Sequence, residues 1–265
     1  MKKDLNLTFL NKKFKICLVK KKSLSVLIPL YNKESLITLT INEVQKLLKG
    51  IDYEIIIIEN ESTDRSEVIV KKYISESSLN IRMHKTKKGL GNALKAGIDL
   101  AKKDYIICIP SDFSTGTSEI DYFNLSSNFE YVITNRYDIN SVVKQKFNRK
   151  FISFVFNNLK IFLLNLKISD TQFSFIIRND IAKNIARSCH SGGFFITTEL
   201  IYFAIKSGVK ITEIPVQLHE QENNKSTVKI FKDSFEILID LIRLFTREGR
   251  IKNYEYNKGR IKYIW

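Results

Sequence analysis

The sequence predicts an α/β fold built on a mostly parallel, doubly wound sheet, and three observations carry that expectation. Short apolar runs alternate with stretches of helical periodicity across the first 112 residues, in the order strand, helix, strand, helix, strand, helix, strand. Each connection between successive strands is long enough for a crossover helix, as parallel pairing requires. Polar loops at 31–34, 59–64 and 111–114 follow three of the strands. In a doubly wound sheet they collect at the carboxyl edge of the strands, where ligands bind.

Residues 24–30 (LSVLIPL) read as a strand closed by Pro29, and Tyr31, Asn32, Lys33 and Glu34 make a polar turn into a helix over about 35–48. Residues 53–58 are the second strand, stopping at Glu59, Asn60 and Glu61; Ser62, Thr63 and Asp64 then supply capping oxygens for a helix over 65–74. A short strand at 80–84 is followed by Lys87, Lys88, Gly89 and Gly91 and by a helix over 92–102. The stretch DYIICIPSDFS at 104–114 is the pivot. Tyr105 to Ile109 are apolar in succession, as in a central strand covered on both faces. Pro110 has no N–H to continue a ladder. Ser111 and Asp112 therefore lie beyond the strand, where Asp112 either meets a ligand or caps the turn toward Thr117.

In the second half, a strand at 131–134 leads to Asn135 and Arg136. Residues 147–168 are rich in Phe, Leu and Ile, with Arg149, Ser153, Asn157 and Lys160 recurring at helical spacing as a polar stripe. From Lys229 a second amphipathic helix sets Phe231, Phe235, Leu238, Ile242 and Phe245 on one face. Lys229, Asp233, Glu236, Asp240, Arg243 and Arg247 oppose them. Such helices either pack on the sheet or enter the surface of an anionic bilayer.

The chain of 265 residues, 44% hydrophobic and 27% charged, has the make-up of a folded globular protein. Its 43 Lys and Arg against 28 Asp and Glu give a net charge of +15, which calls for an acidic partner: a phosphorylated ligand, an anionic membrane or nucleic acid. The lysines are scattered, not interleaved with exposed aromatics, which argues against nucleic acid. Residues 1–22 carry eight lysines as a basic lead-in. Cys17, Cys108 and Cys189 are odd in number and far apart, as reduced thiols of a cytosolic protein are. No apolar run reaches the roughly 18 residues of a membrane span, and no signal-type core follows the amino-terminal lysines, so a cytoplasmic location is expected.

Several familiar motifs fail. GLGNALKAG at 89–97 lacks the glycine spacing and following acid of a dinucleotide fingerprint, and NNKST at 223–227 lacks the glycines of a P-loop. His84, His190 and His219 have no metal-ligand spacing with cysteine.

Taken together, the segments at 24–37, 53–66, 88–112 (KGLGNALKAGIDLAKKDYIICIPSD), 133–138 (ITNRYD), 169–180 (SDTQFSFIIRND), 192–216 and 225–227 (KST) resemble a known family. They are similar in order and spacing to the inverting family-two glycosyltransferases of the glycosyltransferase A fold, specifically the dolichyl-phosphate mannose or glucose synthase branch, over about residues 24–247. The resemblance implies transfer of a hexose from a UDP- or GDP-sugar to a polyprenyl phosphate by inverting displacement, at the cytoplasmic face of a membrane. It places Pro29, Tyr31, Glu34, Glu59, Asn60, Gly89 and Ser111 at the donor nucleotide, and Arg136, Arg149 and Ser153 at the acceptor phosphate. Asp112, Asp170 and Gln172 fall at catalytic positions, with Asp112 as the last aspartate of the DxD motif. Asp112 and Ser114 would hold a divalent cation, Mg²⁺ or Mn²⁺. An acceptor phosphate is already ionised and needs no general base. If the acceptor were a saccharide hydroxyl, as in surface-polysaccharide assembly, Asp170 or Glu199 would be the base, Asp170 alternatively bracing Arg136.

The sequence departs from the family pattern at Pro110, where DxD has its first aspartate, and at Asn60, an acidic position in the usual DDGSTD loop. Gln221 and Asn224 replace an arginine and a glycine before KST. These departures also admit a catalytically degenerate member. The expected division is a lead-in at 1–22, a catalytic domain at 23–228 and a membrane-facing helix with a basic tail at 229–265.

Overall fold

A computed structural model describes residues 22–113, 117–126, 128–141, 147–171, 174–216 and 230–252, with the side chains of 147–151 and 230–232 outside that description. Most of the basic lead-in, the KST segment and the basic tail fall outside it as well. The first half follows the expected alternation: β1 (Ser23–Leu30), α1 (Ile37–Leu47), β2 (Asp52–Glu59), α2 (Ser66–Glu76), β3 (Ile81–Lys85), α3 (Leu90–Leu100) and β4 (Tyr105–Cys108). The second half adds α4 (Ser118–Leu125), β5 (Tyr131–Asn135), α5 (Phe147–Leu164), β6 (Phe175–Arg178), α6 (Asn179–Ala186), α7 (Ile196–Lys206), β7 (Ile211–Pro215) and α8 (Ile230–Glu248).

The strands form one sheet in the order β3-β2-β1-β4-β6-β5-β7. β1 pairs in parallel with β2 and β4, β2 with β3, and β5 with β7. β6 alone is reversed, antiparallel to both β4 and β5. That reversal matters for the site, because the segment entering β6 meets the sheet at the edge where β4 and β5 end. Ser174 Oγ donates to the Cys108 carbonyl at 3.0 Å, and Thr134 N and Oγ1 donate to the Ser174 carbonyl at 3.1 and 3.0 Å.

Alternation along β2 sends Ile56 and Ile58 into one core cluster, under α3, α6 and α7, and Ile55 and Ile57 into another, under α1 and α4. The sheet is covered on both faces, which explains the unbroken apolar runs of its central strands.

Two helices differ from expectation. The apolar run after Phe147 is helical only to Leu164, because Asn165 takes a left-handed φ of 58°. Leu166 and Ile168 are then buried in a segment without regular secondary structure. On α8 the buried residues are Leu241 and Leu244, with Ile237, Leu238 and Phe245 packed beside them, whereas Phe235 and Ile242 are 64% and 47% exposed. The expected single apolar face is thus split between a core-facing stripe and an outward-facing one. Among the described residues no helix is long and apolar enough to cross a membrane.

Candidate active site

The loops after β1, β2 and β4 meet at the carboxyl edge and are tied to one another. Asn32 Oδ1 accepts from Thr63 N at 2.7 Å, and Lys33 N donates to Ser66 Oγ at 2.9 Å. Glu34 N donates to Asp64 Oδ2 at 3.1 Å while Glu34 Oε2 accepts from Arg65 N at 2.9 Å. Glu34 therefore helps cap the helix after β2. The buried Glu59 carboxylate accepts from Ser62 N and Glu61 N at 2.5 and 3.2 Å, closing its own loop. The Asn60 amide, also buried, meets Thr86 Oγ1 at 2.9 Å.

Tyr31 stands beside this loop with Lys88 Nζ 4.0 Å from its ring centroid. Pro29 remains in β1, paired with Ile58. Gly89 has a φ of 131° and opens α3; a Cβ there would strike the Gly192 carbonyl, and one on Gly91 the Ser191 carbonyl. Gly89 thus serves a close backbone approach to residues 191–192.

Asp112 sits in the turn beyond β4, closed by Phe113 N donating to the Pro110 carbonyl at 2.9 Å, with Phe113 at a φ of 50°. Ser111 is buried and its carbonyl accepts from Thr40 Oγ1 at 2.9 Å. Asp112 Oδ2 accepts from Lys33 Nζ at 3.0 Å, and Asp112 Oδ1 is buried without a hydrogen-bond partner among the described residues. An orphaned carboxylate oxygen suits a hard cation that takes its remaining ligands from water and phosphate. Among the described residues no cluster of three His, Cys, Asp or Glu could hold a metal alone. Ser114 lies outside the described residues.

On the other side of the edge, Arg136 follows β5 and Asp170 precedes β6. Arg136 Nε and Nη2 donate to Asp170 Oδ2 and Oδ1 at 2.7 and 2.9 Å, and Arg136 N donates to Oδ2 at 3.1 Å. Asp170 is 3% exposed. Burial works against the Arg136 charge, but the hydrogen bonds and charge of Asp170 hold its pKa above the ordinary value. Beneath them, Asn135 Nδ2 donates to the buried Glu213 Oε2 at 2.8 Å.

A cavity of about 70 Å³ opens here, between α5, α8 and the 169–171 segment. Arg136, Ser153, Asn157 and Asp170 give it a polar wall, and Ile152, Phe156 and Ile237 an apolar one. The structure thus brings Arg136, Asp170 and Ser153 together. The side chain of Arg149, one turn before Ser153, and the whole of Gln172 lie outside the described residues.

The polar stripe does not stay at a surface. Lys160 is wholly buried, donating to Asn157 Oδ1 at 3.0 Å and to the Ile168 carbonyl, so it joins the cavity wall to the segment carrying Asp170. Burial pulls its amine down to about 8, with Asp170 and Glu213 acting in the opposite direction. Glu199 is no part of the cavity. Its Oε2 accepts from His190 N and Ser191 N at 2.8 and 2.7 Å and its Oε1 meets Arg247 at 3.2 Å, so it clamps α8 to the 190–191 loop.

Sequence reasoning missed Glu119, in the first turn of α4. It is buried beside the hydroxyls of Thr134 and Ser174, its Oε1 has no partner among the described residues, and burial pushes its pKa up to about 7. The one signal for it was an acid just after the turn ending at Thr117, a common helix-start position.

The sequence profile of glycosyl transferase family 2 matches residues 25–185, more than half of the chain. The chain belongs to that family. This family-two glycosyltransferase is 27% identical over 244 residues to a dolichyl-phosphate beta-glucosyltransferase of Dictyostelium discoideum, covering 83% of this chain and 73% of that one. It is 26% identical over 248 residues to the Saccharomyces cerevisiae protein of the same name, with the same two coverages. Among solved structures it is similar to glucosyl-3-phosphoglycerate synthase from Mycobacterium tuberculosis in complex with Mn²⁺, UDP and phosphoglyceric acid. The TM-score is 0.62 at 14% identity, covering 84% of this chain and 78% of that one. That likeness establishes the glycosyltransferase A fold.

Proposed function

We propose that this glycosyltransferase moves a hexose from a nucleotide sugar to a polyprenyl phosphate, by inverting displacement, at the cytoplasmic surface of an anionic membrane. The carrying observation is the cavity behind the sheet edge, whose wall of Arg136, Ser153 and Asn157 suits a phosphate and whose wall of Ile152, Phe156 and Ile237 suits the first carbons of a lipid. The similarity to dolichyl-phosphate beta-glucosyltransferases supports the same acceptor class.

In this reading the loops of Tyr31, Glu34, Glu59, Asn60 and Ser111, with the main chain at Pro29 and Gly89, frame the nucleotide, and Asp112 faces its diphosphate. The Mycobacterium tuberculosis enzyme binds UDP with Mn²⁺, and the unpartnered Asp112 Oδ1 offers a divalent cation one protein oxygen. Such a cation, when bound, neutralises charge on the departing diphosphate. Ser114 would be a second ligand. Arg136, its plane fixed by the two-bond contact with Asp170, holds the acceptor phosphate with Ser153 and Arg149; Gln172 would complete the catalytic segment. An ionised phosphate oxygen attacks the anomeric carbon from the side opposite the diphosphate, whose bond to that carbon breaks. Asp170 acts as a brace and not as a base, since both its oxygens accept from Arg136.

The membrane reading rests on exposed apolar side chains of the two packed helices: Phe154, Val155, Ile161 and Phe162 of α5, Phe235 and Ile242 of α8. A net charge of +15 suits an anionic surface. Cys108 and Cys189 are free thiols, which fits a reducing compartment. The division into catalytic domain and membrane-facing helix is proposed on the same grounds.

The test uses the full chain with UDP-glucose and GDP-mannose in parallel, and anionic vesicles carrying polyprenyl phosphate. Sugar attached to the lipid phosphate is expected, and Arg136→Ala should abolish it. Sugar transferred to a saccharide hydroxyl instead, with the lipid phosphate inert, would overturn the acceptor.

A further inference from the structure

Lys33 is a cation placed where the resembled motif has an excess of carboxylate. Its Nζ lies 3.0 Å from Asp112 Oδ2, with its side chain 11% exposed and that of Asp112 21% exposed. The base of the side chain is fixed: Lys33 N donates to Ser66 Oγ at 2.9 Å, and its carbonyl accepts from Leu36 N and Ile37 N, each at 3.0 Å. Two residues before Asp112, Pro110 brings no carboxylate. A site with two aspartates carries two negative charges and repels a diphosphate until a dication arrives. Here one carboxylate and one ammonium sum to zero.

An ammonium has three N–H donors and no acceptor. One of the three on Lys33 meets Asp112, and among the described residues no other acceptor takes a hydrogen bond from its ammonium. The ammonium lies next to the orphaned Asp112 Oδ1, at the carboxyl edge between the adjacent strands β1 and β4. It is a compact point charge of the kind that binds phosphate.

We propose that Lys33 is a built-in counter-ion for the donor: its ammonium bridges Asp112 to the diphosphate, so a nucleoside diphosphate binds this chain without a divalent cation. The inference rests on the nucleotide-sugar reading. A cation at Asp112 Oδ1 then adds to binding without being its precondition.

The experiment is calorimetric titration of the full chain with UDP and with GDP, in EDTA and in Mg²⁺, for the wild type, Lys33→Met and Lys33→Arg, each checked for folding by thermal melting. In EDTA the wild type should bind at least one of the two nucleotides, and Lys33→Met should weaken that binding by about tenfold to a hundredfold. Lys33→Arg should restore most of it. Wild-type binding seen only with Mg²⁺, or a folded Lys33→Met that binds as the wild type does in EDTA, would overturn the proposal. No binding of either nucleotide by the wild type under any condition would overturn the nucleotide-sugar reading itself, and the proposal with it.

Discussion

Up to β4, the exposed large apolar residues Leu39, Val68 and Leu79 lie singly, most polar side chains gather in loops that bind one another, and the buried charges are Glu54 and Glu59 of β2. Beyond β4 the distribution turns inside out. Glu119, Lys160, Asp170, Glu199 and Glu213 are buried, while Phe154, Phe162 and Phe235 face outward. The difference separates a half whose surface is polar from one whose outer helices carry exposed apolar side chains, the ones the proposed membrane contact would cover. In the second half, polar groups are drawn inward, where each needs a partner in place of water.

The largest effect that tests this contrast is on stability. Arg136→Ala strips the buried Asp170 of a bidentate partner and should cost about 3–5 kcal/mol in urea unfolding. Asp112→Asn, in a half-buried loop pair, should cost no more than about 1 kcal/mol. Equal losses would erase the distinction between the two halves.

Next comes Glu119. Its folded pKa of about 7 lies above the ordinary 4.5, so the folded state holds a proton that the unfolded state has released. Its contribution is therefore full below about pH 4.5 and is lost as pH rises through about 7, by about 3 kcal/mol in all. Glu119→Gln should remove that fall from a series of unfolding curves between pH 4.5 and 8; an unchanged slope would show that this carboxyl is not the titrating group. The groups facing it are Cys108 of β4, the hydroxyls of Thr134 and Ser174, and Asp121 of its own helix.

Gly91→Ala pushes a Cβ into the Ser191 carbonyl and should lower stability by about 1–3 kcal/mol. A melting temperature equal to that of the wild type would show that the 191–192 backbone yields. Smallest in stability are Phe154→Ser and Phe162→Ser, expected within about 0.5 kcal/mol of the wild type because both side chains are exposed. Their effect should appear in co-sedimentation with anionic vesicles, which the double variant should lose. Retained sedimentation would remove α5 from the membrane reading.

The same contrast explains what the sequence disclosed. The alternation through β4, the stop at Pro110 and the clustering of the 31–34, 59–64 and 111–114 loops were legible, because apolar runs and polar loops there coincide with inside and outside. Beyond β4 that code breaks down. Lys160 reads as one step of a polar stripe but is buried by the 165–168 segment, which leaves the helix at Asn165. Phe235 and Ile242 read as part of a single apolar face of α8 with packing and bilayer entry both open, because periodicity cannot say which part of a wide apolar face meets the protein. Glu199, a candidate base for a hydroxyl acceptor, is a clamp because its partners come from residues 190–191 and 247. Lys33 could have been found by asking what compensates the carboxylate missing at Pro110.

The contact of Gly89 and Gly91 with residues 191 and 192 has one more implication. Gly91 N donates to the Gly192 carbonyl at 2.9 Å, so main chain meets main chain with no side chain between. Spacing set in this way does not vary with rotamer, protonation state or ionic strength. The proposed displacement, which would fail if its reacting atoms were misplaced by about 1 Å, would thereby gain a fixed ruler between the start of α3 and the 191–192 segment, one that replacing either glycine would stretch.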